Sequence, residues 1–187
     1  MDKKTLKLFK NIPTLETKRL IMRKISKCDM RDIFEYSSDP CVPKYLFWSP
    51  HEDISDTKRY LRVITSFYRR AKFYEWALVL KDSGKMIGTC GFVSFDEYNN
   101  NAEIGYVINS KYWSLGLATE AARRVVEFGF SELGLSRIEG RYIIENTASR
   151  RVLEKCGMSY EGTLKGAINC KGERRDVGLC AVLNRRI

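Results

Sequence analysis

Hydrophobic and polar positions change their period several times along the chain, and each change marks an element. From Ala118 to Leu133 the apolar residues Ala118, Ala121, Ala122, Val125, Val126, Phe130 and Leu133 recur at helical spacing. Glu120, Arg123, Arg124, Glu127 and Glu132 fill the opposite side. This predicts a long amphipathic helix closed at Gly134. Ser55 to Arg70 has the same period through Tyr60, Leu61, Ile64, Phe67 and Tyr68, which places Tyr60 and Tyr68 in the core. Ser26-Lys27-Cys28-Asp29 has the spacing of a capping box, opening a helix that runs to Tyr36 and ends before Asp39-Pro40. Asn146 and Gly157 bound a short helix from Thr147 to Lys155.

Strand-like runs are predicted at Arg19 to Arg23, Glu75 to Leu80, Met86 to Ser94, Glu103 to Ile108 and Ile138 to Tyr142, and near Met158 to Leu164 and Asp176 to Leu183. Lys81-Asp82-Ser83-Gly84-Lys85 reads as the turn of a hairpin, with glycine where a positive φ is needed. Pro40, Pro43 and Pro50 surround Tyr45-Leu46-Phe47-Trp48, which excludes regular helix or central strand and predicts an aromatic loop. Strands interleaved with helices give the fold class α+β (mixed α/β), a sheet covered by helices, with no internal repeat or linker.

The length, 187 residues, and 44% hydrophobic content fit one folded domain spanning 1–187. The longest apolar runs, such as Trp76 to Leu80, are far shorter than the ~18 residues that a membrane span needs. The basic start of the chain is not followed by the apolar core of a signal peptide, so a cytoplasmic location is expected, away from membranes. Cys28, Cys41, Cys90, Cys156, Cys170 and Cys180 form no C-x-x-C pair and read as reduced, mostly buried thiols. With His51 the single histidine, read as a surface residue, neither a metal site nor a histidine-based triad is expected. The net charge of +10 divides evenly between residues 1–110 and 111–187, in isolated pairs such as Arg123-Arg124. That pattern describes solvated faces that favour anionic ligands, and direct nucleic-acid binding is not expected.

Trp113-Ser114-Leu115-Gly116-Leu117-Ala118-Thr119-Glu120 lies between a predicted strand and the long helix. Small residues let the backbone approach a ligand. The free N–H groups and dipole of the helix's first turn favour a phosphate, although such a turn also occurs simply for packing. The segment is neither G-x-G-x-x-G nor G-x-x-x-x-G-K-[ST], so Rossmann redox chemistry and P-loop hydrolysis lose their support.

Several ordered motifs then carry a resemblance. Glu16-Thr17-Lys18-Arg19-Leu20-Ile21-Met22-Arg23, Ala102-Glu103-Ile104-Gly105-Tyr106, Tyr112-Trp113 with the Gly116/Ala118 turn, and Asn146-Thr147-Ala148-Ser149 leading to Val152-Leu153-Glu154-Lys155-Cys156-Gly157 are found together. Together they resemble the GNAT N-acetyltransferases, in particular the branch with the ribosomal-protein alanine N-acetyltransferases, over residues 13–184. The resemblance implies a mostly antiparallel sheet with two splayed parallel strands and acetyl-CoA as co-substrate. The backbone of Ser114, Leu115, Gly116, Leu117, Ala118 and Thr119 would hold the diphosphate. Tyr106, Val107 and Ile108 would pair with the pantetheine arm, and Asn146 would approach the cofactor. Trp113 stands where the family most often has Arg or Gln.

Asn146 also reads as a plain helix cap, a role compatible with the first. By resemblance Ser149 faces the cofactor sulfur and is the candidate acid for the departing thiolate, since the tyrosine many members use is Leu153 here. Glu103 is the candidate base, acting through water, or else a strand-end ion pair. A glutamate sometimes assigned as base in the branch falls at Ile168. Tyr45, Phe47 and Trp48 border the acceptor pocket or plug it. The expected activity is direct attack of an amine on acetyl-CoA in a ternary complex, with backbone N–H groups near Val107 polarising the thioester. A protein N-terminus is the expected acceptor, because a free α-amine of pKa ~7.8 is neutralised at pH 7 for about 1 kcal/mol, against nearly 5 for a lysine-like amine. The alternatives are a polyamine or aminoglycoside acceptor and a non-catalytic acyl-CoA sensor. A homodimer is a possible assembly.

Overall fold

The computed structural model describes residues 11–70 and 74–184. Eight strands form one sheet: β1 (Leu15–Glu16), β2 (Leu20–Arg23), β3 (Tyr74–Leu80), β4 (Met86–Asp96), β5 (Asn101–Ile108), β6 (Arg137–Ile143), β7 (Ser159–Cys170) and β8 (Glu173–Leu183). Their order is β1-β2-β3-β4-β5-β6-β8-β7. Every neighbouring pair is antiparallel except β5 and β6. Four helices cover it: α1 (Met30–Ser37), α2 (Ile54–Arg69), α3 (Leu117–Ser131) and α4 (Thr147–Lys155). The mixed α+β class expected from the alternating periods is the class found. Among the described residues no helix is long and apolar enough to cross a membrane.

The helices form where their signals lie. Ser26 and Asp29 close the expected capping box, but its first turn, Lys27–Asp29, is a 3-10 turn that leads into α1. Asp53 caps α2 by accepting the Ser55 N–H at 2.6 Å. In α3 the apolar stripe is buried through Ala121, Ala122, Val125 and Val126, extended by Leu117 and Phe128. Trp76 of β3 stacks edge-on against Phe128 at 5.5 Å and Phe92 at 6.4 Å, which puts α3 on one face of the sheet. On the other face Tyr68 of α2 donates a 2.7 Å hydrogen bond to the Glu75 carbonyl, and Asp32 of α1 accepts the Met86 N–H at 3.0 Å. The two-helix layer and the α3 layer thus enclose β3 and β4, whose residues 86–92 are buried on both sides.

Three expectations are corrected. The terminal hairpin is longer than its apolar residues suggest: β7 reaches Cys170 through the polar run Lys165-Gly166-Ala167-Ile168-Asn169, held by the pairing of Ile168 and Asn169 with β8 and by Asp176, which accepts from Lys165 and Gly166, rather than by burial. His51 is not a free surface residue, because its Nδ1 lies 2.7 Å from the Ser37 hydroxyl and 2.8 Å from that of Thr57, and burial lowers its pKa. The six thiols are all free, but Cys28 and Cys41 are exposed and Cys156 is half-buried.

Candidate active site

The parallel pair at the centre of the sheet is incomplete. β5 and β6 are in register from Asn101↔Arg137 to Ile104↔Gly140 and then part. Beyond that point β5 stays paired with β4 as far as Ile108↔Gly88, and β6 with β8 as far as Ile143↔Val177. Gly105, Tyr106, Val107 and Ile108 therefore present one backbone edge that β6 does not use.

Gly140 marks the point of divergence, and its missing side chain explains the wedge. A Cβ there would lie 2.4 Å from Cδ2 of Leu153, a fully buried residue of α4. Leu153 thus packs into the sheet. The adjoining turn of α4 is fixed by Asn146, whose side-chain oxygen accepts the Ser149 N–H at 3.1 Å, so its capping role is present. Ser149 meets β5: the Tyr106 phenol lies 2.9 Å from both the Ser149 carbonyl, to which it donates, and the Ser149 hydroxyl. Burial pushes the Tyr106 phenol well above its ordinary pKa, so it stays protonated. Sequence reasoning placed Tyr106 on the cofactor strand but missed this hydroxyl pair, which depends on how α4 docks.

At the mouth of the gap the chain turns into α3. Ser114 has φ +62° and Gly116 φ +77°, both left-handed, with Gly116 immediately before the helix. A left-handed residue followed by a helical one gathers successive N–H groups into an anion-binding concavity. Arg19, in the β1–β2 turn, fixes this segment from behind. Its Nη1 donates to the Leu115 carbonyl at 2.9 Å, and its Nε binds the Glu120 carboxylate at 2.7 Å. Glu120 also accepts the Thr17 hydroxyl at 2.6 Å and the Arg19 N–H at 2.8 Å. Trp113, half-exposed, donates its indole N–H to the Ile108 carbonyl at 2.8 Å.

The face of the sheet under α1 and α2 carries Glu103. This carboxylate lies beside Glu139 in the parallel register and 3.7 Å from Arg141. Burial and Glu139 raise its pKa while Arg141 opposes them. Of the aromatic loop, Trp48 packs against the core and lies 5.9 Å from the His51 ring, which lies 6.3 Å from Tyr60. Tyr45 sits under Lys44, whereas Phe47 is 72% exposed and points away from the core. The tip of the β7–β8 hairpin closes onto this loop through Lys171 Nζ and the Pro43 carbonyl, 2.7 Å apart. A small cavity between them is lined by Lys44, Tyr45, Ile143, Cys170, Lys171, Glu173 and Arg175. Ile168, where the branch sometimes has a glutamate, pairs with Arg175 in this hairpin.

Comparison with known proteins supplies the chemistry that such a gap serves. The family described as an acetyltransferase (GNAT) domain matches residues 19–159. The chain is 34% identical over 172 residues to the uncharacterized N-acetyltransferase p20 of Bacillus licheniformis, covering 92% of this chain and 97% of that one. A GNAT-family acetyltransferase from Bacillus anthracis superposes with a TM-score of 0.82 at 31% identity, over 92% of this chain and 99% of the other. RimL, a ribosomal L7/L12 α-N-protein acetyltransferase solved with coenzyme A, shares the fold with a TM-score of 0.77 at 18% identity, over 91% of this chain and 98% of its own. The chain therefore belongs to the GNAT acetyltransferase family, and is an N-acetyltransferase that takes its acetyl group from acetyl-CoA.

Proposed function

We propose that the protein acetylates the α-amino group of a protein N-terminus by direct attack on acetyl-CoA. The observation that carries this reading is the parting of β5 from β6 beside the left-handed turn before α3. The turn from Ser114 to Thr119 offers N–H groups to the diphosphate. The edge of Tyr106, Val107 and Ile108 that β6 leaves offers the pantetheine amides a strand to pair with, beside the Ile108 carbonyl that Trp113 already occupies, and an N–H near Val107 polarises the thioester carbonyl. Asn146, by capping α4, holds Ser149 against Tyr106, and this hydroxyl pair faces the departing thiolate as its proton source. On the acceptor side Tyr45 and Trp48 shape the entrance, with Phe47 at its outer rim. The amine's proton passes to a carboxylate on that face; Glu103, acting through water, is the candidate the sequence supplies.

The charge around the entrance favours a peptide over a polyamine. Lys44, Lys171 and Arg175 outnumber Glu173 in the lining of the cavity, so a polycation meets repulsion there. A peptide brings one ammonium and a chain of neutral amides. RimL, which shares the fold, is named for a protein N-terminal acceptor. Calorimetric titration with acetyl-CoA, followed by mass spectrometry of products from N-terminal peptides and from spermidine, tests both parts. Absence of acetyl-CoA binding at millimolar concentration removes the reading, and turnover of spermidine alone replaces the acceptor.

A further inference from the structure

A carboxylate that the reading above leaves unused lies on the floor of the acceptor face. Glu75 of β3 stands opposite Gly91, and Gly91 stands opposite Gly105 where β5 begins its open edge. Two strand spacings, ~10 Å, separate the backbones of Glu75 and Gly105. No side chain stands between them at Gly91, where a Cβ would lie 2.4 Å from the Glu75 Cα.

Glu75 is enclosed but not sealed. Among the described residues the Thr89 hydroxyl is the one group that favours its charged form, and no cation offsets its burial. Among the described residues only Tyr142 has a fully buried side-chain oxygen or nitrogen without a hydrogen-bond partner. Glu75 and Tyr60 are each only partly buried, whereas Tyr36 is buried. They face one another closely enough for Glu75 to perturb both phenols. A partly exposed anion beside two phenols, with no counter-ion among the described residues, is a receptor for a cation. Tyr60 also ends the aromatic run Trp48–His51–Tyr60, which connects it with the acceptor loop.

We propose that Glu75 is the catalytic base: the acceptor's ammonium comes up to this partly exposed carboxylate and gives its proton to Glu75 as the nitrogen turns to the thioester. This rests on the acetyl-transfer reading above. One proton moves from R–NH3+ to the carboxylate, and the freed lone pair forms the C–N bond at the thioester carbonyl carbon. The C–S bond then breaks with its electron pair on sulfur. A second proton leaves nitrogen and, by way of the Tyr106–Ser149 hydroxyls, ends on the thiolate. Amide and thiol result, and Glu75 returns its proton to solvent.

Burial raises the Glu75 pKa to about 7. That lies close to the ~7.8 of an α-amine, so proton transfer between them is nearly balanced. The surrounding titratable groups are Tyr36 from α1, Tyr60 and Tyr68 from α2, and Cys90 from β4, with Asp29 and Arg23 acting further out on Tyr68.

The test compares Glu75→Gln with Glu103→Gln, using an alanine-initiated hexapeptide as acceptor. In Glu75→Gln, kcat/KM falls on the order of 100-fold and its acid limb near pH 7 disappears, while the Kd for acetyl-CoA stays within about twofold. A limb kept in Glu75→Gln, or lost in Glu103→Gln instead, overturns the assignment. If the peptide is not turned over, carboxyl 13C NMR decides. The resonance missing from Glu75→Gln is expected to titrate near pH 7 and to shift when n-butylammonium is added; titration near pH 4.5, or indifference to the amine, overturns it. Failure of the unmutated protein to bind acetyl-CoA would instead overturn the acetyl-transfer reading on which this assignment rests.

Discussion

Arg19 and Glu120 are joined by two hydrogen bonds, Nε to Oε2 at 2.7 Å and backbone N–H to Oε1 at 2.8 Å, and Arg19 reaches past Glu120 to the Leu115 carbonyl. A peptide is planar, so holding the carbonyl of Leu115 on one side aims the N–H of Gly116 to the other. A residue of the β1–β2 turn thereby sets the direction of a donor in the anion turn. Arg19→Ala leaves that peptide free to rotate and the Glu120 carboxylate with fewer donors. The expected result is a loss of about 1–2 kcal/mol of stability and roughly tenfold weaker binding of acetyl-CoA. Binding of S-acetylpantetheine, which lacks the diphosphate, should change little. Equal losses for both ligands would refute the role.

The hydroxyl pair makes a second prediction. Ser149 and Tyr106 lie 2.9 Å apart, and the position four residues before Gly157 is a buried leucine, so α4 offers no phenol of its own. Tyr106→Phe and Ser149→Ala each remove one hydroxyl of a relay. Each should lower kcat on the order of 10- to 100-fold with little change in acceptor KM. A fall confined to KM would show that the pair only positions the substrate.

Much of this architecture could be read from the chain. All four helices were legible, α1 and α4 by their caps and α2 and α3 by their apolar stripes, and β5 because its apolar residues alternate up to Ile108. The two-residue strand β1 was not, since its length carries no period. The outer half of β7 was hidden because a hairpin exposed on both sides needs no alternation. At the site, the turn at Gly116 and the cap at Asn146 announce themselves by local residue type. The pairing of Arg19 with Glu120, and the alignment of Glu75 with Gly91 and Gly105, depend on strand register and on contacts a hundred residues apart.

Gly140 supplies a third prediction. A side chain there would press on Leu153 at the point where β5 and β6 separate, with Cδ1 and Cδ2 of Leu153 at 3.1 and 2.4 Å. Gly140→Ala forces a fully packed leucine to move and should destabilise by about 1–3 kcal/mol. Leu153→Ala alone leaves a cavity costing about 2–5 kcal/mol. In the double variant the new methyl enters the space the leucine vacated. Its cost should therefore be less than the sum of the single costs by at least about 1 kcal/mol. Strict additivity in urea unfolding would mean that the wedge is not formed by this contact.

Glu75 links function to stability, and the direction of its pH dependence follows from its environment. Burial raises its pKa from 4.5 to about 7, so the folded state holds a proton that the unfolded state releases between those values. Stability attributable to this group is intact below pH 4.5 and declines as pH rises through 7, because folding must then bury a bare carboxylate. Glutamine has nearly the same shape and no charge to bury. Relative to the parent protein, Glu75→Gln should gain little at pH 4.5 and about 3 kcal/mol at pH 8 or above. A variant that becomes more stable as it loses activity is the outcome expected of a residue kept for chemistry at the expense of folding. Urea unfolding of both proteins at the two pH values checks this. A stability difference that does not grow with pH would mean that Glu75 is paired or solvated in solution and holds no unbalanced charge.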